Sequence, residues 1–420
     1  MHHFQYHQDS LSCEDIPLEQ IAKEQGTPCY IYSHATLTRH FQAVDQAFAS
    51  VPHIIAFAMK ANSNLAVLRL MASLGSGADI VSGGELFRAL KAGIPSNKIV
   101  FAGVGKDHKE IRYAIESDIL FFNVESSAEL QAINEVAKGM GKQARVALRV
   151  NPDIDPQTHP YISTGMKKSK FGIGADLALA EFERAAALPN IQVVGLHAHI
   201  GSQLTKISPF VDSLTKVLGL IQTLKDKGIP IQYLNIGGGL GITYSDEAPP
   251  QPKDLAEAIT PLLKQSQCQI VMEPGRVIVG NAGILLTRVL FIKDTGTKKF
   301  AIVDAAMNDL IRPSLYEAHH DILPVLRIPN RQEEVFDVVG PICESGDFLA
   351  QNRTMPLVKE GDLLAVMSAG AYAFTMASNY NSRPRVPEIL VKGRESFVIR
   401  ERESYDDLIR GEHIPGFLTS

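Results

Sequence analysis

In Phe57-Ala58-Met59-Lys60-Ala61-Asn62 a run of apolar residues delivers one lysine and then stops. The stretch from Val51 to Met59 reads as a strand and the residues from Asn64 to Leu74 have helical spacing, which puts Lys60 at a strand's C-terminal end. An amine held partly out of water there has a lowered pKa, and its neutral form attacks carbonyls, so the chemistry on offer is that of a Schiff-base lysine. A lysine reaching from apolar surface into solvent accounts for the same residues.

Four further clusters each follow a strand-like run: Asp79-Ile-Val-Ser-Gly-Gly-Glu85, His197-Ala-His199-Ile-Gly-Ser202-Gln203, Gly237-Gly238-Gly239 and Glu273-Pro274-Gly275-Arg276. The triple glycine either brings backbone N–H groups close to a phosphate or makes a plain tight turn. Beside a phosphate a carboxylate would be repelled, so Glu273 suits a pyridine nitrogen, which it keeps protonated as an electron sink. An ion pair with Arg276 is the other reading of Glu273. His199 is placed to stack on a planar cofactor and Ser202 to donate to its phosphate, while a hydrogen-bonded core histidine is the alternative. His197 and His199, two apart in a strand, point to opposite faces and so disfavour a shared metal. Lysine, phosphate cradle, ring neighbour and pyridinium partner together describe pyridoxal 5'-phosphate.

Strand-like runs at 53–59, 77–81, 98–102, 119–122, 145–150, 193–199, 231–236 and 269–273 alternate with helix-length segments. Asn64 to Leu74 stops at Gly75, and Ser126 with Glu129 spells a capping box. Eight such units predict parallel pairing in a closed (β/α)8 barrel of the TIM type, whose chemistry sits at the C-terminal strand ends. Beyond about Leu285 short strands separated by Gly, Pro and charged turns predict a mainly antiparallel β domain, into which a strand near Tyr30 pairs. The expected division is a barrel over 36–285 and a β domain from 1–35 and 286–420. The segment Met1 to Ser12 is expected to fray. The Pro- and Lys-rich stretch 151–170 reads as a functional loop.

The 420 residues are 45% hydrophobic and 21% charged with a net charge of -5, which excludes wholesale disorder and leaves no basic excess for nucleic acid. No run of about 18 apolar residues predicts a membrane span, and no leader is apparent, so a cytoplasmic location is expected. The cysteines Cys13, Cys29, Cys268 and Cys343 have neither metal nor disulfide spacing.

Ordered along the chain, FAMKAN with Lys60, GADIVSGGE, SKFGI, HAHIGSQ, NIGGGLGI, EPGR, DAAMNDLIRPSLY, GPICESGDFL and AGAYAFTMASNYNSRPR carry a resemblance over nearly its whole length. The chain resembles the fold-type III pyridoxal-phosphate decarboxylases, the diaminopimelate decarboxylase family above all. That resemblance implies decarboxylation of meso-2,6-diaminopimelate to L-lysine and CO2 in lysine biosynthesis, by a homodimer with shared active sites. It makes Lys60 the Schiff-base lysine and gives the cofactor Asp79, His199, Ser202, Gly237 to Gly239, the segment Glu273 to Arg276, and Tyr372. Substrate falls to Arg276, Arg312, Tyr316, Glu344 and Tyr372; Cys343 becomes the proton donor, serving with Glu344 the partner subunit's site.

The residues by themselves agree with these roles. Arg312 and Tyr316 at i, i+4, with Arg276, offer a carboxylate clamp, and Glu344 an ammonium partner. A surface pair, a solvated turn residue and, for Cys343, a small buried hydrophobe are the plain alternatives. Rival functions are a basic amino-acid or carboxynorspermidine decarboxylase, a racemase, which Glu273 and Cys343 disfavour, and a non-catalytic pyridoxal-phosphate-binding homologue. Two departures from the family pattern, Ala198 and Asn235, are expected to touch no catalytic role.

Overall fold

The computed structural model describes residues 2–154 and 170–418, so most of the loop expected at 151–170 lies outside the described residues. The chain divides into two units, Leu37–Gly280 and Met1–Thr36 with Asn281–Ser420.

The first unit is a closed barrel. Its strands are β1 (His53–Ala58), β2 (Gly77–Ile80), β3 (Ile99–Phe101), β4 (Phe121–Val124), β5 (Ala144–Asn151), β6 (Ile191–His197), β7 (Tyr233–Asn235) and β8 (Gln269–Met272). Each pairs in parallel with the next, and β8 pairs with β1, closing the ring. All eight predicted strands form. The interior is filled: Ala56, Val100, Phe121, Ala147, Val194 and Val271, from six different strands, pack in one buried cluster. A filled barrel has room for chemistry only at its ends.

Local signals fix where the helices begin. The Asn64 side chain accepts from Ala66 N at 2.9 Å and starts the helix Leu65–Ser73. Ser126 caps Ser127–Gly139 by accepting from Glu129 N at 3.3 Å, which is half of the predicted capping box. The other half is diverted. The Glu129 carboxylate takes the Glu125 N–H at 2.9 Å and the Lys106 ammonium at 2.6 Å, because a charge-assisted bond to a buried amine outweighs a bond to one more amide.

The second unit is built on the strand Gly283–Asp294, which pairs antiparallel with Lys299–Val303, Leu363–Val366 and Cys29–Ser33. The strand expected near Tyr30 therefore does join this sheet. Two pairings are parallel, Lys299–Val303 with Glu333–Val339 and Glu388–Lys392 with Cys29–Ser33; the rest of the sheet is antiparallel. The strands Ile322–Pro324 and Phe348–Pro356 also belong to this sheet, the second with an exposed Gln351-Asn352 step that breaks its apolar alternation.

The amino terminus corrects an expectation. Rather than fraying, Phe4–His7 pairs with Ser10–Cys13, which pairs with Ile16–Pro17. Phe4 and Leu11 are buried against Leu18, Ile21 and Cys29, so burial of two large side chains outweighs the polar composition of the segment. Cys13, Cys29 and Cys268 are buried and Cys343 is exposed. Among the described residues no helix is long and apolar enough to cross a membrane.

Candidate active site

Lys60 lies two residues beyond β1, and its Nζ is 2.6 Å from Oδ2 of Asp79 in β2. Lys60 is partly withdrawn from water. Its side chain is 40% exposed, whereas Asp79 is fully buried. Burial, with the Glu273 charge adding and the Lys60 ammonium opposing, raises the Asp79 carboxyl to about 7. Asp79 Oδ1 makes no hydrogen bond among the described residues. The pair is a lysine held at a known point by a carboxylate that has little other company.

Glu273 follows β8 and is buried in a polar cage at the mouth of the barrel. Its Oε1 accepts from Asn235 Nδ2 at 2.6 Å and from Asn123 Nδ2 at 3.0 Å, and its Oε2 is 3.5 Å from His197 Nε2. Burial alone would raise this carboxyl, but His197, the Lys60 charge and the Asn235 amide outweigh it and hold the group below the usual carboxylate range. Glu273 is therefore ionised in a buried place. The Arg276 guanidinium turns elsewhere, donating to Tyr244 Oη at 2.6 Å and to Ser202 Oγ at 3.1 Å, so the Glu273–Arg276 ion-pair reading is set aside.

Asn235, expected to touch no catalytic role, is nonetheless part of the cage around Glu273. It donates to Glu273 and its Oδ1 accepts from Gly237 N at 2.9 Å, joining the carboxylate to the glycine turn. Asn123, His197 and Tyr244 were also missed. A signal existed for Asn123: an amide inside the apolar strand Phe121-Phe122-Asn123-Val124 must find a buried partner. Asn235→Ala is expected to destabilise the chain by about 1.5–3 kcal/mol, the range for a hydrogen bond to a charged group, read as a lowered urea midpoint at unchanged slope.

The three glycines are demanded by close approach. A Cβ on Gly238 would lie 2.2 Å from the Glu273 carbonyl oxygen, and one on Gly237, at φ +65°, 2.7 Å from His199 Nδ1. Gly237 gives its N–H to Asn235 and Gly238 donates to His199 Nδ1 at 3.3 Å, tying the turn to the side chains of the site. His199 accepts that bond as a neutral ring: desolvation, with the Arg149 charge adding, lowers it well below an ordinary histidine. Ser202 accepts from Arg276, which leaves its own O–H to donate. Gln203 clips the following turn, bonding Ile242 O at 2.6 Å and Ile242 N at 3.1 Å.

In the second unit the tip of the loop after Glu333–Val339 presents Cys343 and Glu344, both exposed. Asp347 closes that loop by accepting from Ile342 N and Met307 N, each at 2.7 Å, and Asn381 Oδ1 accepts from Cys343 N at 2.8 Å. The reading of Cys343 as a small buried hydrophobe is excluded. Arg312 opens the short helix Arg312–Tyr316, is buried, and lies with its guanidinium carbon 5.9 Å from the Tyr316 ring centre. Tyr372 holds φ 53°, a left-handed conformation uncommon for a bulky residue and concentrated at functional sites.

The barrel residues fit pyridoxal phosphate. An ionised buried carboxylate suits a protonated ring nitrogen, a neutral histidine suits a flat ring, and Asp79 Oδ1 is a buried acceptor without a donor. Among the described residues no group of three metal-ligating side chains occurs. Residues 34–280 match the family described as pyridoxal-dependent decarboxylase, pyridoxal binding domain. The chain is 52% identical to a diaminopimelate decarboxylase of Aquifex aeolicus, covering 97% of this chain and 96% of that one, and 51% identical to that of Vibrio cholerae, covering 97% and 98%. The chain belongs to the diaminopimelate decarboxylase family. Solved members share its fold: the Helicobacter pylori diaminopimelate decarboxylase complexed with L-lysine has TM-score 0.90 at 43% identity over 94% of this chain and 98% of that one. The M. jannaschii diaminopimelate decarboxylase in co-complex with L-lysine has TM-score 0.94 at 42% identity over 99% and 98%.

Proposed function

We infer that this chain is a carboxy-lyase that converts meso-2,6-diaminopimelate to L-lysine and CO2 with pyridoxal 5'-phosphate. The observation that carries the reading is the buried Glu273 carboxylate, held by Asn123 and Asn235 at the strand ends that also present Lys60. Bound there, the cofactor supplies a conjugated ring whose protonated nitrogen accepts the electron pair left when the Cα–carboxylate bond breaks.

Lys60 is the residue that holds the cofactor covalently, with Asp79 orienting its amine. His199 lies against the ring, and Ser202, Gly239, Gly275 and Tyr372 hold the phosphate; Gly237, Gly238 and Pro274 shape the turns around it. Glu273 keeps the proton on the ring nitrogen. Arg276, Arg312 and Tyr316 bind the substrate's distal carboxylate and Glu344 its distal ammonium, which selects a molecule that is an amino acid at both ends. A substrate lacking the second carboxylate would leave this clamp without a purpose.

Loss of CO2 leaves a carbon that must gain one proton, and the Cys343 thiol delivers it. We assign Cys343 and Glu344 to the partner subunit's Lys60 in a homodimer with shared active sites, and place the enzyme in the cytoplasm. Support for sharing is that both side chains are exposed on their own chain, an unfavourable place for a proton donor unless another surface covers it. Cys343→Ala is expected to lower kcat by about 10²–10⁴-fold, the scale of a positioned acid, with cofactor absorbance retained. Turnover at the wild-type rate would reject the donor role.

The function itself is tested by supplying purified protein with diaminopimelate isomers, lysine, ornithine and carboxynorspermidine. CO2 release from the meso isomer with L-lysine as product is the expected result; release from another substrate alone would overturn it.

A further inference from the structure

His320 has no part in the reading above, yet its ring is fully buried. It stands just before the strand Ile322–Pro324, which pairs antiparallel with Leu363–Val366, so its backbone is fixed by a sheet. His320 Nδ1 lies 2.8 Å from the Met367 carbonyl oxygen, and its Nε2 lies 3.3 Å from Arg312 Nε.

These two contacts set the hydrogens on the ring. A carbonyl oxygen only accepts, so Nδ1 carries the hydrogen; the Nε–H of an arginine only donates, so Nε2 accepts with its lone pair. The ring is the neutral tautomer that the Met367 carbonyl selects. Because the guanidinium is planar and rigid, a bond to Nε–H fixes the plane of the whole fork. The Tyr316 ring lies on the same short helix, 5.9 Å from the guanidinium carbon. A bidentate carboxylate contact depends on that plane, and a supporting side chain that locks it decides how well the fork is presented.

We propose that His320 is a positioning residue that orients Arg312 and so sets the enzyme's selectivity for substrates with a second, distal carboxylate. The proposal rests on the reading of Arg312 as part of the distal-carboxylate clamp. His320 acts by accepting one hydrogen bond and touches no substrate.

The test uses the holoenzyme. Arg312→Ala comes first, as the control on the clamp: the KM for diaminopimelate should rise, and an unchanged KM would sink the clamp reading itself. His320→Asn keeps an N–H for the Met367 carbonyl but is too short to reach Arg312, whereas the amide oxygen of His320→Gln reaches it. His320→Phe keeps the ring without the acceptor. The Asn and Phe variants should raise the diaminopimelate KM at least about tenfold, the scale of one hydrogen bond to a charged group, with kcat within about twofold of wild type. Competitive inhibition by 1,5-diaminopentane, which has no carboxylate, should be unchanged, while inhibition by L-lysine, which keeps the distal carboxylate, should weaken in step with KM; Gln should recover most of the loss. If Arg312→Ala raises KM but a folded Asn or Phe variant keeps the wild-type value, this inference alone falls. It falls equally if diaminopentane inhibition weakens in step with KM, if lysine inhibition stays at the wild-type value, if Gln is no better than Asn, or if neither Asn nor Phe folds, since His320 would then serve stability only.

Discussion

Lys60→Ala is expected to abolish the visible absorbance of lysine-bound cofactor and to lower kcat by roughly three orders of magnitude or more, the scale of removing a group that takes part in the bond changes. The fold should survive. Lys60 is 40% exposed and pairs with the carboxylate of Asp79, so truncation leaves Asp79 in a burial that already favours its protonated form. Spectroscopy of the purified variant reconstituted with pyridoxal phosphate measures the first effect and thermal unfolding the second. An absorbance band at wild-type intensity would reject the assignment of Lys60.

Glu273→Gln keeps the shape and removes the charge. Asn123 and Asn235 can still donate to the amide oxygen, while the charge 3.5 Å from His197 is lost. Without a carboxylate the ring nitrogen is not kept protonated, and kcat is expected to fall by about 10²–10³-fold, as when one preorganised electrostatic contact is deleted. Cofactor should remain bound through Lys60. Stability gives a separate readout. The Glu273 pKa is held below its unfolded value, so its contribution is present above the ordinary carboxylate range, at about pH 4.3, and is lost as pH falls towards the lower folded value. The gap in stability between wild type and Glu273→Gln should therefore stay constant from neutral pH to about 5 and shrink only on further acidification. A gap that closes near neutrality would mean that Glu273 is not ionised in the fold.

Much of the site was legible because strand ends in a parallel barrel are short-range features. Lys60, His199, the glycine turn and Glu273 each announce themselves beside their own strand, and the eightfold alternation says that those ends share a face. The missed residues differ in kind. Asn123 and Asn235 are 112 positions apart, and only closure of the ring brings both to one carboxylate oxygen. The Asn235 departure looked neutral as a sequence change, since its role depends on an atom of Glu273 that spacing does not locate. The bonds that two amides of the triple glycine give to Asn235 and His199 join residues 2 and 39 positions apart, and spacing does not reveal the second.

By itself the sequence determined the barrel, the β domain and the cofactor class, because hydrophobic period, turn residues and ordered motifs are local properties that survive without coordinates. Tertiary structure alone decided how each group is held. Exposure of Lys60, ionisation of Glu273, the neutral ring of His199 and the tautomer of His320 depend on burial and on partners distant in the chain, and protonation answers to those surroundings rather than to residue type.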